Sequence, residues 1–420
     1  MGREQGMEWP FTLNVSALLA DGWRPVPFEE FIVKINSRCD LSCDYCYMYE
    51  MADQSWRGQP KRMPVEIAEA TARRIGQHAR DHGLRKLALI LHGGEPLLAG
   101  PELIWHLVEA TRKAVGPQVA VAAHVQTNAV GLNDVFLRLF DELDVRVGVS
   151  LDGGPDEHNR HRRFASGRGS YAAVAAGIER LRQPWFRHLF GGLLCTVDVR
   201  NDPIATYEAL LAFAPPAIDF LLPHGTWDAP PPGRGRESPQ TPYADWLIAV
   251  FDRWYRDPRV GIRMFESIIG LLVTGASSGE TVGLAPSTMV VIETDGSIEQ
   301  VDSLKAAYEG AAATGLHVIR DELDAALYRP GMVARQIGVR ALAAECRRCP
   351  IRQVCGGGQY PHRYRSGSGF ANPSVYCPDL MRLIEHVAMV VQADVASRLD
   401  KAWLAADEPD EQARACAVRG

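Results

Sequence analysis

The chain has 420 residues, 46% hydrophobic and 23% charged, with 45 Lys and Arg against 51 Asp and Glu for a net charge of −6. That balance supplies no basic stripe for duplex nucleic acid, and the apolar content is far above that of a disordered acidic chain. At roughly 150 residues per domain the length fits two or three domains, and a chain of this size needs no disulfide staple for stability.

The N-terminus, MGREQGMEWPFTLNV, lacks the basic region and apolar core of a signal peptide. No run approaches the roughly 18 apolar residues of a spanning helix, so no membrane is expected. The expected compartment is the cytoplasm, where thiols stay reduced. Nine cysteines there read as ligands before cystines.

After a lead-in punctuated by Trp and Pro, apolar runs of strand length recur: FIVKIN at 31–36, LALILHG at 87–93, VAAHVQTN at 121–128, VRVGVSLD at 145–152, GGLLCTVDV at 191–199 and DFLLPHG at 219–225. Between them, helical periodicity begins at 64, 101, 134, 171 and 205. Near-continuous apolar strands alternating with helices indicate a parallel sheet buried on both faces. The α/β fold class expected is a partial (β/α)6 barrel with its functional loops at the C-terminal strand ends. A doubly wound open sheet is the competing architecture.

The stretch DAPPPGRGRESPQTP at 228–242 is a composition break. Helices are expected around 243–256 and 262–273, then a hairpin turning at Asp295-Gly296. A Cys/Gly-rich segment at 346–377 and a long amphipathic helix close the chain. The division drawn is a lead-in at 1–28, a barrel at 29–235, bridging helices at 236–289, a small Cys-rich domain at 290–385, and a helix with a tail at 386–420.

Cys39, Cys43 and Cys46 form C-x3-C-x2-C directly after the first strand. Three thiolates can hold a 4Fe–4S cluster by three irons and leave the fourth open, whereas electron-transferring clusters usually take four. Zinc is the alternative, but structural zinc favours paired C-x2-C and four ligands. Cys346, Cys349, Cys355 and Cys377 form C-x2-C-x5-C-x21-C, a saturated set that suits a second 4Fe–4S cluster or a structural zinc. Cys195 reads as a small buried hydrophobe, and Cys416 as a free thiol in a polar tail.

The first cysteine set, with Tyr45 as the aromatic before its last member, resembles the radical S-adenosylmethionine enzymes. The resemblance implies that the open iron binds S-adenosylmethionine and that a 5′-deoxyadenosyl radical abstracts hydrogen from substrate. It implies that Gly93, Gly94, Glu95 and Pro96 hold the methionyl ammonium, and that Ser150 contacts the cofactor. Arg162, or its neighbour Arg163, falls on the methionyl carboxylate, and Leu222 or a neighbour meets the adenine. His92 stands where some relatives have glutamine and reads as a buried, hydrogen-bonded histidine.

The second set looks like a SPASM auxiliary domain. Full SPASM domains carry further cysteines for another auxiliary cluster, and the corresponding positions here are Val301 and Gln359. That cluster is expected to be missing. SRCDLSCDYCYMYEMADQSWRGQP, DFLLPHGTWDAPPP, ETDGSIEQVDSLK and CGGGQYPHRYRSGSGFANPSVYCPDL are similar to the FxsB-type maturases. This implies carbon–carbon cyclophane crosslinks, from an aromatic ring to the Cβ of a residue two positions along, in a ribosomally made precursor peptide. Flavodoxin or ferredoxin is the implied electron donor.

Rearomatisation requires a base, and Asp302 is the implied one, with Glu299 as the second candidate. No appended peptide-recognition module is expected before the barrel. Trp56, Trp227, Tyr360 and Tyr364 are candidate groove aromatics, and His362, Arg363 and Arg365 candidate partners for peptide carboxylates. The competing readings are thioether formation, oxidation of a sulfatase Cys or Ser, and a non-catalytic metal-binding scaffold.

Overall fold

The computed structural model describes residues 8–235, 238–275 and 281–406, so Cys416 lies outside the described residues. All six expected strands form: β1 (Glu30–Asn36), β2 (Lys86–Gly93), β3 (Ala120–Thr127), β4 (Val145–Ser150), β5 (Phe190–Thr196) and β6 (Ala217–Leu221). Each pairs in parallel with the next in sequence. A doubly wound sheet reverses its order about a switch point. This order is sequential, which excludes the competing architecture.

A short helix α1 (Val15–Ala20) precedes the sheet. The connections carry α2 (Val65–Asp81), α3 (Pro101–Val115), α4 (Asp134–Glu142), α5 (Pro155–His161), α6 (Tyr171–Leu181) and α7 (Pro203–Leu211). Local chemistry sets their ends. Asn133 accepts from the amides of Val135 and Phe136 at 2.9 and 3.3 Å to start α4, a cap worth about 1 kcal/mol. The same helix buries Phe136, Leu137 and Phe140 at helical spacing against the sheet. Two helices follow the barrel as expected, α8 (Pro242–Arg256) and α9 (Arg263–Thr274), and a two-residue strand β7 (Gly261–Ile262) between them pairs with β6.

The expected hairpin is β8 (Met289–Ile292) and β9 (Ser297–Glu299). Its turn closes with the Gly296 amide donating to the Glu293 carbonyl at 2.9 Å. Gly296 sits at φ 97°, which explains glycine there. β8 lies parallel to β1, with Glu30 opposite Met289 and Val33 opposite Ile292. β10 (Ala313–His317) adds antiparallel to β9. The result is one ten-stranded sheet, β10-β9-β8-β1-β2-β3-β4-β5-β6-β7. It runs without interruption from the βα units into the hairpin strands at 289–317. A long C-terminal helix, Cys377–Ala406, packs against α8 and α9.

Candidate functional site: two thiol centres and a buried ion network

Residues from the C-terminal ends of β2 to β6 and from the loop after β1 line one cavity of about 200 Å3. Strand ends that face a common space require the sheet to curl, as a partial barrel does. The wall includes Cys39, Cys43, Cys46, Tyr45, Gly93, Gly94, Glu95, Ser150, Arg162 and Leu222. Pro96 lies just behind it, buried as the first residue of a short helical turn. Arg163 is exposed and donates to the carbonyls of Asn159 and Arg160. Of the two arginines, only Arg162 faces the cavity.

The loop is shaped by close backbone approach. The Gly94 amide donates to Asn36 O at 2.8 Å and the Glu95 amide to Arg38 O at 2.9 Å. A Cβ on Gly94 would collide with Tyr49 Oη and the Arg38 carbonyl, so only glycine fits. The Glu95 carboxylate is buried and accepts from the Leu97 amide (3.0 Å), Thr127 Oγ1 (2.7 Å) and the Asn128 amide (2.8 Å). Burial pushes its pKa up to about 7 against those donors.

Asp152 gathers the opposite wall. It accepts from Arg162 Nε at 2.9 Å, from the Thr196 amide at 3.0 Å and from the Tyr45 hydroxyl. Burial alone would lower the Arg162 pKa, but Asp152 outweighs it and holds the guanidinium charged. Its Cζ lies 5.6 Å from the Tyr45 ring centroid, a cation–π contact. Tyr45 is thereby fixed in orientation by Asp152 and Arg162.

The three thiols stand together on the cavity wall as a candidate metal centre. The Leu41 amide points at Cys39 Sγ at 3.4 Å. Burial pushes all three thiol pKa values up, that of Cys43 to about 12, so a bound cation must supply the field that makes them thiolates. The second set surrounds a chamber of about 290 Å3 lined by Cys346, Cys349, Cys355 and Cys377. Tetrahedral zinc, with Zn–S near 2.3 Å, would draw four sulfurs to about 3.8 Å of one another. Among the described residues, groups with three donor atoms within 4.8 Å of one another are His78/His82/Asp324 and Glu293/Glu299/Asp302, not the cysteines. The chamber therefore fits an iron–sulfur cluster, which spreads its thiolates over separate irons.

The surroundings of Val301 are apolar. Val301 packs against a buried cluster that includes Leu304, Tyr360, Tyr364 and Phe370, with Trp9 alongside. Tyr360 stacks on Phe370 at 4.5 Å.

Several candidate peptide contacts have other duties. Tyr360 and Tyr364 belong to that core. Trp56 is braced by Arg38 and Arg57, and Trp227 Nε1 donates to Pro373 O at 2.8 Å with Arg365 over its ring. Arg363 is buried and donates to the carbonyls of Gly356 and Gly358. His362 is buried, 3.2 Å from Nδ1 of His224 on the cavity wall. Cys195 is buried in β5, as expected.

Asp302 is 4% exposed and belongs to an ion network that sequence reading did not anticipate. Lys34 Nζ contacts Asp302 Oδ1 at 3.2 Å and also Glu293, while Lys305 Nζ reaches Glu293 at 2.7 Å and Glu299 at 3.0 Å. Burial pushes Glu293 up, but the two ammoniums outweigh it and its pKa falls. Glu299 moves up, because burial exceeds the help from Lys305. A lysine within an apolar strand such as FIVKIN was the available signal.

Comparison with known proteins agrees with this geometry. Residues 33–195 match the Radical SAM superfamily. The chain is 25% identical over 373 residues to a serine-type anaerobic sulfatase-maturating enzyme of Klebsiella aerogenes, covering 85% of this chain and 87% of that one. It is 26% identical over 284 residues to a cysteine-type counterpart from Clostridium perfringens, covering 66% and 74%. The solved structure of native anSMEcpe with bound AdoMet and Cp18Cys peptide superposes with a TM-score of 0.73 at 22% identity, covering 88% of this chain and 99% of that one. Streptococcus suis SuiB bound to precursor peptide SuiA gives 0.56 at 15% identity, covering 86% and 78%. The chain thus carries a radical SAM domain at residues 33–195 and is an iron–sulfur enzyme of the radical S-adenosylmethionine type.

Proposed function

We propose that this enzyme oxidises a ribosomally made precursor peptide and joins an aromatic ring carbon to the Cβ of a residue two positions along. When held at a 4Fe–4S cluster on Cys39, Cys43 and Cys46, S-adenosylmethionine supplies a 5′-deoxyadenosyl radical that abstracts a substrate hydrogen. Gly93, Gly94, Glu95 and Pro96 shape the seat of the methionyl ammonium. Arg162 faces the methionyl carboxylate while Asp152 holds its other edge, and Ser150, Tyr45 and Leu222 complete the wall. Asp302 supplies the carboxylate for removing the ring proton. Cys346, Cys349, Cys355 and Cys377 hold the auxiliary cluster as electron acceptor, with flavodoxin or ferredoxin as the external donor.

A peptide substrate is supported by two relatives solved with peptides bound, anSMEcpe with Cp18Cys and SuiB with SuiA. The observation that carries the crosslinking reading is the aromatic core around Val301, where a full SPASM layout has cysteine. The second reading, oxidation of a sulfatase Ser or Cys, is favoured by the similarity to a serine-type maturase over 85% of this chain.

The test is co-expression with a short open reading frame adjacent in the genome, followed by mass spectrometry of that peptide. Loss of two hydrogens per modification, with no backbone fragments across an aromatic-x-residue segment, supports the crosslink. An aldehyde on a Ser or Cys residue overturns it in favour of the second reading.

A further inference from the structure

Two lining residues of the cavity meet the ion network, Met48 beside Lys34 Nζ at 3.5 Å and His92 beside Asp302, and Asp302 is not itself among the lining residues. His92 comes from β2 and sits directly before Gly93. Its Nδ1 is sealed from solvent, has no hydrogen-bond partner, and lies 3.9 Å from Asp302 Oδ2. The side chain still keeps 23% exposure, so the accessible part of the ring is an edge other than Nδ1. Asp302 Oδ1 is taken by Lys34 at 3.2 Å, which leaves Oδ2 for the histidine.

We propose that His92 is the group that takes the proton from the peptide, and that Asp302 acts through it as a positioning residue. This rests on the peptide-oxidation reading above. Nδ1–H donated to Asp302 fixes the tautomer with a lone pair on Nε2, the arrangement that a carboxylate imposes on a catalytic histidine. The 3.9 Å separation closes with a small ring movement, as apo catalytic contacts commonly do on substrate binding. In the step itself, after hydrogen loss from Cβ and formation of the C–C bond, the C–H bond of the joined ring carbon breaks and the ring regains its aromaticity. Nε2 binds the proton, the electron passes to a one-electron acceptor of the iron–sulfur class, and the imidazolium is neutralised by Asp302. Burial lowers the His92 pKa, which keeps the ring neutral before the step. Lys34 holds Asp302 from behind at 3.2 Å and shares its ammonium with Glu293, and its Nζ also lies 3.5 Å from Met48 Sδ on the cavity wall.

The experiment uses the reconstituted full chain, S-adenosylmethionine, and the unmodified form of the precursor peptide that co-expression identifies as substrate, with deuterium at the reacting Cβ. It measures deuterated 5′-deoxyadenosine per oxidised peptide for wild type, His92→Gln and His92→Asn, with freeze-quench electron paramagnetic resonance alongside. The expected result is uncoupling: that ratio rises by about 10²-fold in either variant, and a peptide-centred radical accumulates. Asp302→Asn raises the same ratio, and combining it with His92→Gln raises it no further, because the pair acts as one unit. A ratio equal to wild type in both His92 variants, with no radical signal, overturns the proposal. A wild type that forms deoxyadenosine but oxidises no peptide overturns the functional reading and this proposal with it.

Discussion

Arg162 Nε donates to Asp152 Oδ2 at 2.9 Å, and this ion pair joins the helix that follows β4 to the end of β4 itself. The same carboxylate holds the Thr196 amide of β5 and the hydroxyl of Tyr45 from the cysteine loop. Replacing Asp152 with Asn leaves a poorly exposed guanidinium without its counter-charge. Breaking such a pair costs about 3–5 kcal/mol. Asp152→Asn is expected to lose most S-adenosylmethionine affinity and to unfold at lower denaturant, read by anaerobic calorimetry and urea titration. Unchanged affinity would show that Arg162 needs no support from Asp152.

The ion network predicts an asymmetry between its lysines and a neutral surface lysine. Lys305 is 1% exposed and contacts two carboxylates. Lys305→Met strands Glu293 and Glu299 beside a single ammonium, and a destabilisation of about 3–5 kcal/mol is expected. Lys113, on α3 and away from the network, should change stability by less than about 0.5 kcal/mol on the same substitution. Equal effects at both sites would contradict the network's role.

Iron counting tests the chamber and the aromatic core together. Two 4Fe–4S clusters give about eight irons per chain, and a third would raise this to about twelve. Cys346→Ala with Cys349→Ala should leave about four. A count near one metal at the second site, as zinc, would overturn the cluster assignment there.

Gly356 follows Cys355 at φ 59°, and a Cβ there would run into the carbonyl oxygen of Gly283. Gly356→Ala is expected to shift the Cys355 thiol and lower occupancy of the second cluster severalfold while sparing the first. Electron paramagnetic resonance with each thiol set removed in turn distinguishes the two.

Buried neutral histidine makes stability depend on pH. His158 Nδ1 accepts from the Asp152 amide at 3.3 Å, and its Nε2 lies 2.9 Å from Ser170 Oγ. Burial lowers its pKa to about 4. A depressed folded-state value means the unfolded chain binds the proton first, so the contribution is present above about pH 6.5 and is lost as pH falls through about 4. Wild type should lose on the order of 3 kcal/mol from this group over that range, relative to His158→Gln. Parallel stability–pH curves for the two proteins would sink the assignment.

The strands and the thiol centres were legible in the sequence for a physical reason. Parallel strands covered on both faces need continuous apolar runs, and metal–thiolate chemistry demands cysteines at fixed spacing. The β1/β8 pairing was not legible, because four-residue β8 has no crossover pattern of its own and finds β1 from far along the chain. Nothing near Lys34 in the sequence pointed to an ion pair, because its partner Glu293 lies 259 residues away. Helix α5, PDEHNRH, carries no apolar stripe and is set instead by Pro155 at its start and by His158 beneath it. Asp302 was identified from resemblance, but its separation from the cavity by His92 depends on how β2 and the segment after β9 meet.

The lateral seam between β1 and β8 also has a temporal side. During synthesis β1 emerges early, yet the neighbour for its outer edge is made only some 259 residues later. At 5–20 residues per second that is roughly 13–50 s. Throughout it, an apolar strand presents unpaired amides and carbonyls, the arrangement that recruits foreign strands. The cysteine loop that follows β1 is exposed over the same interval, before the wall that shelters it is complete. Yield of soluble, iron-loaded enzyme should therefore respond to translation speed and chaperone supply upstream of residue 289, and far less to those downstream.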